Sequence, residues 1–372
     1  MLKSNVRKCS RRIWVNTIRG YKPYVRILDD GTRPERRTWI RREPLIFTVV
    51  ALGLGVPFYL LADYFQDNPY SSTAFQSYTI EDKKIHSSTS SIFTAKPQSK
   101  VDWSQEWQRG LWSVEIKQPQ LQIAREYTPL PPDNIGKGTA DLVANSQQLN
   151  GSSLEFWIRR EERGEVSSYL HKLEPGSSIE IRGPKSVREI PEAQEIVFLA
   201  GGTGIAPAFQ LAHALLDRSQ GSSDLPNLHI LWANRRREDC VGGISDNISQ
   251  PSRSGILGFL RAREKSPLSQ EKSVLVERLE KLKAAYNGRL RIDYFIDEED
   301  SCIKKERVIS LLKSNKDEDQ MRPKRVVMVC GPDGFVNHFA GPKQWQNGKQ
   351  IQGQISGVLQ DASKLGWEVV KL

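Results

Sequence analysis

Paired cysteines are missing from this chain. Its four cysteines, Cys9, Cys240, Cys302 and Cys330, include no pair at C-x-x-C spacing, and no histidine stands at zinc-finger distance from them. Neither a disulfide framework nor a structural metal site is indicated, and no metal ligand is assigned. There is no internal repeat. The composition, 38% hydrophobic and 26% charged over 372 residues, lacks the bias of a disordered chain, a collagen-like fibre or a multi-span membrane protein. The length suggests two domains plus extra segments. A net charge of +10 points, at face value, to nucleic acid or an anionic membrane surface. Residues 1–43, however, carry thirteen Lys and Arg against four acids, a net +9. The remaining 329 residues are almost neutral, which removes the main support for a nucleic-acid surface.

Acids are absent from the first 28 residues, where eight basic residues alternate with Val6, Ile13, Val15 and Ile18. An Arg-rich, acid-free N-terminus has the make-up of a mitochondrial targeting peptide; a basic arm without structure or a nuclear signal has similar composition. Charge is absent again from Pro44–Ala62, nineteen residues bounded by Glu43 and Asp63. As a helix it would rise roughly 28 Å, enough to span a bilayer. A secretory signal would be shorter and end in small residues, and a buried core helix is seldom so uniformly apolar. Arg33, Arg36, Arg37, Arg41 and Arg42 precede it, while Asp63 and Asp67 follow. The positive-inside rule therefore leaves the large C-terminal body on the opposite side from the N-terminus. The expected organisation is a targeting segment at 1–43, a transmembrane helix at 44–62, a tether at 63–73, and two domains at 74–190 and 191–372.

In the first domain, β-prone stretches at Tyr78–Ile80, Ser91–Lys96, Trp112–Ile116, Leu121–Ala124, Leu154–Arg159 and Ile179–Arg182 predict a small antiparallel barrel. Residues 131–153 read as a long loop. After Pro191 the pattern alternates. Strands are expected at Ile196–Ala200, Leu228–Ala233, Leu290–Phe295 and Arg325–Cys330. Helices are expected at Pro207–Asp217, Val274–Ala285, Glu306–Leu312 and, from helical spacing, across Ile351–Leu365. This predicts a doubly wound parallel α/β domain, with 241–270 as a surface insertion.

Four short motifs carry chemistry. Ala200-Gly-Gly-Thr-Gly-Ile-Ala-Pro207 follows a buried strand and opens a helix. Its glycines let a backbone approach a pyrophosphate, and Pro207 suits a first helical turn. The third glycine of G-x-G-x-x-G is missing, and a tight turn without a ligand has the same sequence. Arg125-Glu-Tyr-Thr-Pro puts a diphosphate clamp (Arg125) and a stacking ring (Tyr127) on one strand face, with the Thr128 hydroxyl next to them. An ordinary surface strand reads the same way. Gly164-Glu-Val-Ser-Ser-Tyr-Leu170 ends in a short amphipathic helix for which Ser167 is the expected cap, its N-terminal amides facing an anion; an ordinary capped helix reads the same way. Cys330-Gly331-Pro332 ends the last apolar strand, where an open α/β sheet faces its ligand crevice; a buried inert thiol is the plain alternative.

The order of these motifs resembles the ferredoxin–NADP reductase superfamily, with the cytochrome b5 reductase branch nearest, over about Ala74–Leu372. The resemblance implies an FAD-binding antiparallel barrel followed by an NAD(P)-binding α/β domain. It implies Arg125, Gly164, Val166 and Ser167 on the flavin diphosphate, Tyr127 beside the ring and Thr128 near its reactive nitrogen. It places Gly202, Thr203, Gly204 and Pro207 on the nicotinamide nucleotide, with Cys330, Gly331 and Pro332 closing over the nicotinamide. Thr128 and Cys330 are the residues it brings to the reacting atoms. Arg235, in Asn234-Arg-Arg-Arg237, is positioned to pair with a 2′-phosphate, a slight lean to NADPH over NADH; a solvated basic loop has the same composition. Leu111–Pro119 running into REYTPLP, and the tail Leu365–Leu372, are similar to a fungal mitochondrial branch of these flavoproteins. That likeness implies a single-span inner-membrane protein facing the intermembrane space. It further implies NAD(P)H-dependent reduction of haem, with cytochrome c or its haem lyase as partner. A diaphorase with another acceptor would use the same residues, whereas a non-catalytic scaffold for cytochrome assembly would leave both nucleotide-type motifs idle. Two departures stand out: Arg159-Arg160-Glu161 replaces the aromatic usual after the second strand's basic residue, and no aromatic ends the chain.

Overall fold

The structure is a computed structural model that describes residues 74–133, 152–219, 225–246, 271–313 and 324–372. The basic segment, the apolar run 44–62, the tether and most of the two long loops lie outside the described residues. Among the described residues no helix is long and apolar enough to cross a membrane.

Six strands, β1 (Gln76–Ser87), β2 (Ser90–Pro97), β3 (Gly110–Gln118), β4 (Ile123–Tyr127), β5 (Leu154–Arg159) and β6 (Ser178–Glu189), form one sheet in the order β4-β3-β6-β1-β2-β5. Every pairing in it is antiparallel. The edges approach each other just past β4, where the Leu130 N–H donates to the Glu155 carbonyl at 2.7 Å. Alternate side chains of these strands, among them Tyr78, Ile80, Val114, Ile116, Phe156 and Ile181, fill the interior. Trp103, just before α1 (Ser104–Arg109), stacks on Trp112 at 5.2 Å. Each such side chain contributes roughly 1.5–3 kcal/mol on leaving water. Helix α2 (Glu165–Lys172) lays Val166 and Leu170 on the same core and stops just before Glu174-Pro175, where a proline cannot continue it.

The second half is a five-stranded parallel sheet of β7 (Glu195–Gly201), β8 (Asn227–Asn234), β9 (Leu290–Ile296), β10 (Arg325–Cys330) and β13 (Trp367–Lys371), in the order β13-β10-β7-β8-β9. Phe198, Leu199, Met328 and Val329 are fully buried, as expected of strands covered on both faces. Helices α3 (Ile205–Arg218), α4 (Val274–Ala285), α5 (Lys305–Lys313) and α6 (Asp333–Ala340) provide the cover, and β11 (Gln344–Gln346) and β12 (Lys349–Ile351) form a separate hairpin. The Gln210 amide of α3 is buried and joins the two sheets: it donates to the Pro129 carbonyl and accepts from the Trp112 N–H, both at 3.0 Å.

The structure differs from expectation in three places. The helix read across Ile351–Leu365 is absent; β12 ends at Ile351 and two short turns, Gly357–Leu359 and Ala362–Leu365, follow. Gly353 and Gly357 stand at φ +63° and +69°, and a Cβ on Gly357 would lie 2.3 Å from the His338 carbonyl oxygen. The strand expected at Leu121–Ala124 lies instead at Ile123–Tyr127, because Pro119–Gln122 make the turn that enters it. Helices α1 and α6, the β11–β12 hairpin and strand β13 have no counterpart in the sequence reading.

Candidate functional site

A cleft of about 340 Å³ opens between the barrel and the parallel sheet. The barrel supplies one wall: Arg125, Glu126, Tyr127 and Thr128 from the end of β4, Trp157, Ile158 and Arg159 from β5, Glu161, and Gly164–Ser167 at the start of α2. The other wall comes from Thr203, Gly204, Ala206 and Pro207 after β7 and from Cys330 and Gly331 at the end of β10. Strands β7 and β10 are neighbours from which the sheet proceeds in opposite directions. The cleft therefore lies at a topological switch point, outside the carboxyl ends of the strands.

Local chemistry explains each wall. Tyr127 faces Val114 in the ladder and packs on the barrel core. Burial pushes its hydroxyl well above the usual phenol range, Arg125 opposing and Glu161 adding to the effect, so Tyr127 is a neutral ring with one donor. Arg125 lies exposed beside it, held by its own bond to the Ala124 carbonyl at 2.9 Å. Of the carboxylates here, Glu126 is neutralised by Lys185 at 2.6 Å. The residue at the N-cap of α2 is Gly164, not Ser167, and it gives no side-chain cap. Ser167 is inside the first turn, where its hydroxyl donates to the Gly164 carbonyl and accepts from the Glu161 N–H, each at 3.2 Å. A Cβ on Gly164 would meet Ser167 Oγ at 2.4 Å and Glu161 Cβ at 2.9 Å. The bare cap leaves the first-turn N–H groups without helical partners at the cleft wall.

On the opposite wall, Gly202 adopts φ +53°, a conformation that favours glycine. Its carbonyl accepts from Trp232 Nε1 at 3.0 Å. Gly204 is pressed against β10: a Cβ there would lie 2.4 Å from the Cys330 carbonyl oxygen. Pro207 stands third in α3, where its missing N–H costs nothing. Burial pushes the Cys330 thiol up to about 11, against the pull of Lys343 and the Gly331 N–H. Cys330 is thus a neutral thiol near pH 7, able to touch a ligand but not to attack one. It should react with iodoacetamide at pH 8 on the order of 10²-fold more slowly than a free thiol, and should accelerate as pH approaches 11. Mass-spectrometric labelling rates across pH 7–11 check this.

Of the fourteen residues singled out in the sequence, the cleft gathers eleven. Gly202 and Pro332 flank it, with Pro332 capping α6, and Arg235 is not among its lining residues. Arg235 follows β8, where its carbonyl accepts from the Glu298 N–H at 3.2 Å. Its neighbours Arg236 and Arg237 are engaged by Glu238 and Glu299. Trp157 and Arg159 were missed as cleft residues, although Arg159-Arg160-Glu161 already stood out where an aromatic usually follows the strand's basic residue.

The donor set fits a flavin dinucleotide. Arg125 and the open end of α2 are suited to a diphosphate, Tyr127 to a flat ring, and Thr128 to a polar ring edge. The glycine turn provides the close backbone approach that a second dinucleotide needs. Residues 110–189 match the oxidoreductase FAD-binding domain, and residues 198–242 the oxidoreductase NAD-binding domain. Fold, cleft and both matches define an FAD-dependent NAD(P)H oxidoreductase. Its two domains are similar to those of the ferredoxin–NADP reductase superfamily, cytochrome b5 reductases among them. It is 27% identical, over 87% of its length and 88% of the relative's, to the cytochrome c mitochondrial import factor CYC2 of Saccharomyces cerevisiae. It is 26% identical to NADH-cytochrome b5 reductase 2-A of Vanderwaltozyma polyspora, over 64% of each chain; the match thus spans less than two thirds of that reductase. The cytochrome b5 reductase domain of Ulva prolifera nitrate reductase shares the fold at a TM-score of 0.50 and 15% identity, over 82% of this chain and 99% of that one.

Proposed function

We propose that this oxidoreductase is a mitochondrial inner-membrane protein that delivers electrons from NAD(P)H to haem iron, or to a haem protein, during cytochrome c maturation. In this reading residues 1–43 target the chain, 44–62 anchor it, 63–73 tether it, 74–190 hold FAD and 191–372 hold the nicotinamide nucleotide, with the body in the intermembrane space. The observation that carries it is the single cleft shared by Arg125–Thr128 and Gly164–Ser167 of the barrel with Thr203–Pro207 and Cys330–Gly331 of the parallel sheet. Similarity to the yeast import factor along most of both chains supports the cytochrome c link. The charge pattern around 44–62 supports the topology.

FAD, when bound, supplies a hydride acceptor able to release electrons one at a time. The chain's own part is placement. Arg125 and the α2 N-terminus bind a diphosphate, Tyr127 orients a ring, and Thr128 offers a hydrogen bond. Gly204 lets the nicotinamide turn approach, and Cys330 and Gly331 exclude water from the far side.

The detergent-purified full chain tests this. It should carry FAD, oxidise NADH or NADPH, and reduce haem in the presence of apocytochrome c faster than it reduces cytochrome b5. The b5 reductase relatives favour a second reading, a diaphorase, which preferential reduction of cytochrome b5 would select. A chain without flavin overturns both.

A further inference from the structure

A buried polar contact joins the barrel to the parallel sheet beside the cleft, and the function above makes no use of it. At its centre is Asp239, only 1% exposed, in the loop after β8. Its Oδ2 accepts from Arg159 Nη2 at 2.6 Å and its Oδ1 from Ser87 Oγ at 2.9 Å. Its backbone carbonyl accepts from His86 Nε2 at 3.0 Å. An indole N–H can only donate, and the Ser87 hydroxyl gives its one proton to Asp239, so the remaining directions follow. Trp157 Nε1 donates to Ser90 Oγ at 2.9 Å, Ser90 Oγ donates to Ser87 Oγ at 2.7 Å, and Ser87 Oγ donates to Asp239. Two barrel residues that line the cleft, Trp157 and Arg159, therefore both end on one carboxylate belonging to the other half of the molecule. An outer layer repeats the contact: Glu238 accepts from the Ser88 N–H and hydroxyl, and Arg236 donates to Ser88 Oγ.

The same cluster reaches the glycine turn. Trp157 meets Trp232 edge-on at 5.8 Å, and Trp232 donates to the Gly202 carbonyl. A Cβ on Gly202 would have Arg159 Nη2 as its nearest neighbour, at 3.8 Å. A buried ion pair is a poor device for stability alone, because desolvation offsets its attraction, whereas removing one partner strands the other. Its value here is geometric. Asp239 ties the end of β5 to the exit of β8, the strand whose Trp232 also holds the turn after β7, so one element of each cleft wall is joined through it.

We propose that Arg159 and Asp239 form a positioning clasp that sets how closely the nicotinamide turn approaches the flavin wall. The clasp governs the rate of hydride delivery and leaves flavin retention alone. The proposal rests on the reading of the cleft given above. Neither residue is a catalytic residue; each acts through the walls it joins.

The test compares the full chain with Arg159→Met/Asp239→Leu, which removes both charges, with Asp239→Asn, which keeps the shape, and with Arg159→Lys. Stopped-flow bleaching of the flavin by NADH gives the rate, and bound FAD is quantified. Amide exchange over 86–90 and 236–240 is followed in the flavin-free chain. The double variant should keep its FAD and melt within a few degrees of the parent. Its limiting rate of flavin bleaching should fall at least tenfold, with KM for NADH moved less than threefold, and exchange at Ser88 and Asp239 should quicken at least tenfold. Asp239→Asn should show the same rate loss, and Arg159→Lys should recover part of it. A parental rate or unchanged exchange in the double variant overturns the clasp. So does loss of FAD at a parental rate per bound flavin, which would make Arg159 a flavin ligand. Failure of NADH to bleach the parent's flavin instead overturns the reading of the cleft, and with it the clasp's effect on rate.

Discussion

Arg125→Ala will purify as a folded chain that has lost most of its flavin. Arg125 is exposed at the cleft rim, and among the described residues its guanidinium makes one hydrogen bond, to the carbonyl of its own neighbour. Truncating it leaves no buried group without a partner, so the melting temperature of the flavin-free chain should stay within a degree or two of the parent's. Binding should suffer far more. A charge-assisted contact to a phosphate contributes about 1.5–3 kcal/mol, which corresponds to an order of 10- to 100-fold in affinity. Titration of flavin-free protein with FAD, followed by quenching of flavin fluorescence, measures the change. Arg125→Lys should recover only part of it, because an ammonium keeps the charge but loses the planar fork. Parental FAD affinity in Arg125→Ala would move the diphosphate site to another part of the cleft.

How far the sequence reached depends on where the information lies. Leu154–Arg159, Val274–Ala285 and Arg325–Cys330 were delimited to the residue. The two strands are β-branched or apolar runs between polar boundaries; the helix has its Ser273 cap, and both signals are local. The turn after β7 was also legible, because only glycine meets its demands at 202 and 204. The Ile351–Leu365 spacing misled because Val358 and Leu359 are buried against α6 from a short turn rather than from a helix face. Ser167 was read as a cap because its type suits one, yet the turn starts three residues earlier on a glycine with no room for a side chain. Asp239 was invisible for a different reason. In Arg235-Arg-Arg-Glu-Asp it reads as one more solvated charge, and only the chain's return 80 residues earlier, at Arg159, makes it a buried centre. Sequence periodicity reports which face is apolar; it carries no signal for a polar contact completed by a distant strand.

That contrast between the two walls sets the second large effect. Gly204→Val should leave flavin binding intact and nearly abolish its reduction by NAD(P)H. The backbone of Gly204, at φ −61°, suits any residue, so the demand for glycine is steric. A Cβ would lie 2.4 Å from the Cys330 carbonyl oxygen, 2.6 Å from its carbon and 2.9 Å from the Gly331 Cα. All three are backbone atoms of β10 or its exit, which cannot swing aside as a flexible side chain would. The turn must lift away from β10, at a cost of about 1–3 kcal/mol for overpacking, and the cleft wall opposite the barrel moves with it. The barrel wall, carried by β4, β5 and α2, is untouched, so FAD content should remain within a factor of two of the parent's. Misplacing reacting groups by about 1 Å costs on the order of 10²-fold in rate. Bleaching by NADH should therefore slow by that factor or more, while dithionite bleaches the same flavin at the parental rate. Gly176→Ala controls for the loss of any glycine: at φ +90° with nothing within 4 Å of its Cβ, it strains a turn of the barrel and should cost stability without slowing NADH. Equal slowing in both variants would mean that the loss is general destabilisation. Loss confined to Gly204→Val would mean that the turn after β7 and the end of β10 together form the nicotinamide wall.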